Sequence, residues 1–117
     1  CLNILRDDIH RANVQAGWYT DLVTGKPKDR NVAEMLALIH SEVSEALEGY
    51  RKDLQDDHLP ERRMEEVEIA DVFIRLFDYA GYRGLDITGA VLDKLAYNSR
   101  REDHKIENRR AANGKKI

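Results

Sequence analysis

Glu65-Glu-Val-Glu-Ile-Ala-Asp-Val-Phe-Ile-Arg-Leu-Phe-Asp-Tyr-Ala80 is the stretch that decides how this chain must fold. From Ile69 to Ala80 its only charges are Asp71, Arg75 and Asp78, and apolar side chains fall almost all round a helix. Such a helix has to be covered on more than one side. Its acids also need a reason to be there, because an unpaired carboxylate is costly to bury unless a cation or hydrogen bonds compensate. Glu68 and Asp71, three residues apart, point the same way.

The same spacing occurs upstream in Glu42 and Glu45, separated from Glu68 by 22 residues. Asn31 with Glu34 resembles a capping box and opens a helix expected to run to about residue 52. Val32, Met35, Leu36, Ile39, Val43, Ala46 and Leu47 are expected on one of its faces. At about 100° per residue, Glu42 lies roughly 60° from Ile39 and Glu45 roughly 120°, so both flank that stripe. Four acids beside two core faces can converge on a hard divalent cation, since Mg²⁺ prefers carboxylate and water oxygens. The competing reading pairs Asp71 with Arg75 at i,i+4 and leaves Glu68 facing water, and in a chain with 22 acids a Glu-x-x-Glu match is expected by chance.

Two further helices complete the pattern. Leu2, Leu5, Ile9 and Ala12 mark the first, over about 2–15, with Gly17 past its end. Residues 16–30, with Trp18, Tyr19, Gly25 and Pro27, form the longest loop. Pro60 suits the first turn of the third helix, which Gly81 and Gly84 are expected to stop. Asp86 then caps a fourth, to about Arg101. No strand alternation is present. The expected architecture is all-α, a four-helix-type bundle completed by dimerisation, since three helices cover only part of the third. It forms one domain over 1–117, with about 105–117 a flexible, solvated tail.

Composition agrees. A chain of 117 residues, 42% hydrophobic and 35% charged, supports one core with solvated outer faces. A net charge of −3 argues against a dedicated nucleic-acid binder. That holds although Ser99 to Ile117 carries seven Lys and Arg against three acids. The single cysteine, Cys1, excludes an internal disulfide framework and fits a reducing compartment. No run approaches the roughly 18 apolar residues of a membrane span. A cytoplasmic protein with no membrane partner is expected. Gly25-Lys26 lacks phosphate-loop spacing, and His10, His40, His58 and His104 lack zinc-site spacing. His40 reads as a structural residue at a helix edge.

Leu36-Ala-Leu-Ile-His-Ser-Glu-Val-Ser-Glu-Ala-Leu-Glu-Gly-Tyr-Arg51, followed by Glu65 to Leu76, resembles the MazG-like all-α nucleoside triphosphate pyrophosphohydrolases. That family carries E-E-x-x-E, a variable spacer and E-x-x-D. Here Ser41 stands in place of the leading Glu. Lys94-Leu-Ala-Tyr-Asn98-Ser-Arg-Arg101 is similar to its downstream K-x-x-x-N-x-x-R element. The resemblance spans roughly residues 30–104. It implies Mg²⁺ ligands at Glu42, Glu45, Glu68 and Asp71, with Mn²⁺ as a substitute, and triphosphate contacts from Lys94, Asn98 and Arg101. The implied reaction is hydrolysis of a (d)NTP to the monophosphate and pyrophosphate, as nucleotide-pool clean-up, by a homodimer or dimer of dimers. Dimeric dUTPase and phosphoribosyl-ATP pyrophosphohydrolase are relatives with the same metal logic.

A base needs an aromatic face to stack on. Trp18 leads, being in a loop, and Tyr97 and Tyr19 follow; the competing reading of Trp18, a hydrophobic plug over the bundle end, weighs slightly more. A second reading of the whole chain is a non-catalytic helical module that binds a partner.

Overall fold

The computed structural model of the chain describes every residue from Cys1 to Ile117. It is all-helical: α1 Leu2–Gln15, α2 Val32–Lys52, α3 Met64–Arg83, α4 Ile87–Arg100, a 3-10 turn Glu102–His104 and α5 Ile106–Arg110. β pairing is limited to single bridges, Thr20 with Pro27 and Gln55 with Arg63. No helix is long and apolar enough to cross a membrane. The chain divides into two compact units, Ile4–Leu85 and Cys1–Asn3 with Asp86–Ile117.

In the unit Ile4–Leu85, α2 and α3 form the main packed pair. They run antiparallel. Gly49 near the end of α2 faces Met64 at the start of α3, and Glu42 meets Arg75 farther along. The N–H of Arg30, just before α2, donates to the Tyr82 hydroxyl near the end of α3 at 3.0 Å. The approach at Gly49 requires glycine, since a Cβ there would lie 2.9 Å from Met64 Cβ. α1 lies as close to the end of α3, where a Cβ at Gly81 would come within 2.5 Å of His10 Cβ. Tyr19, Met35, Ala46, Phe77 and Ala80 are the buried hydrophobic residues.

Local chemistry sets the helix ends. Asn31 Oδ1 accepts the Glu34 N–H at 3.0 Å, which is the N-cap half of the expected capping box. α2 stops at Asp53, which adopts φ 51°, a left-handed conformation that Asp tolerates better than most residues. Two expectations for α3 are corrected. Pro60 lies outside it, in a loop where Asp56 Oδ2 accepts from the N–H groups of His58 and Leu59 at 3.0 and 2.8 Å. That side chain gives the backbone a turn in place of a helical start, and α3 begins at Met64. Gly81 sits inside the helix, serving the α1 contact, and the stop falls at Gly84 with φ 67°.

The single apolar face expected of α2 also divides. Met35 and Ala46 are buried, whereas Leu36, Val43 and Leu47 stay 41%, 50% and 58% exposed. Leu36, Val43 and Leu47 lie roughly 80–120° round the helix from Met35, on an adjacent face.

The other unit begins with a small clasp. Asn3 Oδ1 accepts the Thr88 N–H at 3.1 Å, and Asn3 Nδ2 donates to Asp86 Oδ1 at 2.8 Å. Asp86 Oδ1 also accepts the Gly89 N–H at 2.9 Å, capping α4 as its sequence suggests. Arg109 Nε and Nη2 donate to the carbonyls of Lys115 and Lys116, each at 3.2 Å, folding residues 111–117 back on α5.

Candidate metal centre

Glu42, midway along α2, faces Glu68 and Asp71 in the first half of α3. One carboxylate oxygen from each lies within 4.8 Å of the others, and all three side chains are half-buried. The antiparallel packing therefore brings Glu42 to acids that lie 26 and 29 residues farther along the sequence. Glu45 is exposed and outside this set, although its negative charge still acts on Glu68. Ser41, where the family pattern has Glu, is exposed and donates its hydroxyl to the Leu38 carbonyl of its own helix at 2.6 Å.

The electrostatics are those of a site short of positive charge. Burial first, then a hydrogen bond with Glu42 and the charges of Glu42, Glu45 and Asp71, push the Glu68 carboxyl up to about 7. Asp71 is also raised, by burial and then by Glu42, against the opposing pull of Arg75. Arg75 does not form its i,i+4 pair with Asp71. Its Nε donates across the helix interface to Glu42 Oε1 at 2.7 Å. One guanidinium against this many acids leaves oxygen donors that suit a hard cation such as Mg²⁺ or Mn²⁺.

Beside the acids opens a cavity of about 420 Å³, lined among others by Asn13, Trp18, Arg30, Glu42, Asp71 and Arg75. That volume falls in the range of small-molecule sites. No family model, curated protein or solved structure matches the chain. Its chemistry must therefore be read from the site itself and from the sequence motifs.

Trp18, the leading aromatic candidate, is 58% exposed and lies at the cavity wall. Tyr19 is not available for stacking. It is buried, with its hydroxyl donating to Asp78 Oδ2 at 2.8 Å, and burial and that bond raise its pKa. His10 Nδ1 lies 2.8 Å from the other Asp78 oxygen, and the Arg30 guanidinium sits 5.6 Å from the Tyr19 ring centre. This anchor fixes the loop that carries Trp18. Asp78, at the helical i+7 position from Asp71 and equally anomalous in its apolar stretch, is the one sequence feature that could have signalled it. Asn13 and Arg30 gave no such signal. His40 is exposed and takes no part in the anchor.

Lys94, Tyr97, Asn98 and Arg101 belong to the unit carried by α4, where Lys94 and Arg101 gather on Tyr97. The Lys94 ammonium and the Arg101 guanidinium lie 4.8 and 5.6 Å from the centre of the Tyr97 ring. Arg101 also makes two bonds to the Asp103 carboxylate, at 2.9 and 2.7 Å. The Asn98 Oδ1 atom is buried and accepts no hydrogen bond.

Proposed function

We propose that this chain is a Mg²⁺-dependent nucleoside triphosphate pyrophosphohydrolase, releasing pyrophosphate and a (d)NMP. The observation that carries the reading is the convergence of Glu42, Glu68 and Asp71 at the edge of a nucleotide-sized cavity. The motif resemblance supplies the reaction class. Glu42, Glu68 and Asp71 are the residues that would hold Mg²⁺ or Mn²⁺, and for Glu45 that role rests on the resemblance alone. When bound, such an ion supplies charge neutralisation to phosphate oxygens and acidifies water.

The chain's own groups do the rest. Trp18 offers an aromatic face to the base, and Arg30 and Arg75 bring positive charge to the same cavity for the phosphates. The Asp78 anchor keeps Trp18 in place by holding Tyr19 beside it. For Lys94, Asn98 and Arg101 the triphosphate role rests on the resemblance alone. A homodimer or dimer of dimers and a cytoplasmic, nucleotide-pool role belong to the same proposal.

The test is pyrophosphate release from a panel of (d)NTPs with Mg²⁺ and with EDTA. Turnover of at least one nucleotide only with Mg²⁺, lost in Asp71→Asn, is the expected result. A second reading, a non-catalytic module that binds a partner protein, draws on the exposed α2 residues Leu36, Val43, Leu47 and Tyr50. No pyrophosphate from any nucleotide would favour it.

A further inference from the structure

Arg75 stands in an unusual position for a surface arginine. Asp71 lies one turn away on its own helix, yet the guanidinium reaches across to α2 and bonds Glu42 at 2.7 Å. The two side chains differ in freedom: Glu42 is 14% exposed and Arg75 is 40% exposed. The carboxylate is held in the helix interface, while the guanidinium stands at the cavity wall with open space beside it.

We propose that Arg75 has two working positions, pairing with Glu42 when the carboxylates hold no divalent ion and turning into the cavity to bind a substrate phosphate when they do. This rests on the nucleotide-hydrolase reading above. A divalent ion on Glu42 and a guanidinium on the same carboxylate repel each other, so loading the ion weakens the pair. The released guanidinium then needs another anion. The triphosphate is the anion that arrives with the metal, and a planar guanidinium matches phosphate oxygens in a bidentate fork. Metal and nucleotide consequently bind with positive coupling, since each relieves a cost imposed on the other. Metal alone competes with Arg75; metal with nucleotide does not.

The proposal requires opposite effects from one substitution. Mn²⁺ alone is titrated into wild type, Arg75→Gln and Arg75→Lys, with free Mn²⁺ followed by its paramagnetic resonance signal. Binding of the α,β-imido analogues of the four dNTPs in saturating Mn²⁺ is read from the fluorescence of Trp18, the chain's single tryptophan. Arg75→Gln should bind Mn²⁺ about fivefold more tightly, the scale of a partly exposed ion pair. It should bind the analogue preferred by wild type about tenfold or more weakly, the scale of a charged hydrogen bond. Arg75→Lys keeps the charge and the fold, retains near-wild-type Mn²⁺ binding and loses analogue affinity with the fork.

Weaker Mn²⁺ binding in Arg75→Gln would make Arg75 a fixed brace for Glu42 and overturn the proposal. Unchanged analogue affinity in both variants overturns it equally, while leaving the hydrolase reading in place. A wild type that binds no Mn²⁺ removes both.

Discussion

Burial and its acidic neighbours hold the Glu68 carboxyl near pH 7, well above the ordinary value of about 4.5. The sign of the consequence follows from proton counting. As pH rises from about 4.5 towards 7, the unfolded chain has already released this proton while the folded protein still holds it. Folded stability without metal therefore falls across that window and stays low above it. Glu68→Gln mimics the protonated form, so it should match wild type near pH 5 and melt higher than wild type at pH 8 in EDTA. With allowance for solvent screening at this half-buried site, the gain is about 1 kcal/mol, or several degrees in Tm. Mg²⁺ should raise the wild-type Tm at pH 8 but not that of the variant, and the variant should lack turnover. Thermal melts at both pH values check this; a variant less stable than wild type at pH 8 contradicts it. Glu42, Glu68 and Asp71 are legible in the sequence because three-residue spacing and an apolar neighbourhood are both local properties. The preference of Arg75 for Glu42 over Asp71 is not, because it depends on where the other helix lies. Tyr19 escapes for the same reason: its burial comes from Asp78 and His10, 59 residues downstream and on α1 respectively.

Helices are more readable than the contacts between them. Side-chain caps carry their signal within four residues, which is why Asn31 and Asp86 mark the starts of α2 and α4 correctly. Pro60 misleads because proline fits a helix's first turn and a loop equally well, and the hydrogen bonds of Asp56 decide for the loop. Gly81 misleads because glycine is read as a stop when here it makes room for His10. The contrast between a packing glycine and a capping glycine is testable. Gly49→Ala places a Cβ 2.9 Å from Met64 Cβ and 3.1 Å from the Glu65 N atom, so α3 must shift. Overpacking of this kind costs about 1–3 kcal/mol. Glu68 lies one turn beyond Met64, so the shift also separates it from Glu42 and should weaken Mg²⁺ binding. Gly84→Ala meets nothing within 4 Å but must adopt φ 67°, at a cost of about 1 kcal/mol. It should leave Mg²⁺ affinity unchanged. Denaturant unfolding with calorimetric Mg²⁺ titration separates the two, and equal Mg²⁺ affinity in both variants would show that the α2–α3 spacing does not set the site.

At the scale of the molecule, the unresolved demand is apolar surface. Leu36, Val43, Leu47 and Tyr50 recur along α2 at spacings of seven, four and three residues, which is one helical face. All four are between 41% and 63% exposed. α3 adds Ile69, Phe73 and Ile74, exposed at 41%, 52% and 42%. Contiguous apolar surface is uncommon on a monomer and marks association, and the apolar surround of α3 pointed to a second copy from the sequence alone. The α2 stripe was hidden there because a single wide face and two narrower ones have the same periodicity. We expect the wild-type chain to sediment as a dimer or dimer of dimers at micromolar concentration, with a Tm that rises with protein concentration by mass action. Leu47→Glu puts a charge in the middle of the stripe, where desolvating it opposes association. Its position on α2 turns away from the carboxylate cluster, so the monomeric variant should still bind Mg²⁺. The variant should sediment at half the wild-type mass or less and lose the concentration dependence of its Tm. A wild type that sediments as a monomer, with a Tm independent of concentration, would leave the stripe free for another protein, which is the surface the non-catalytic reading requires.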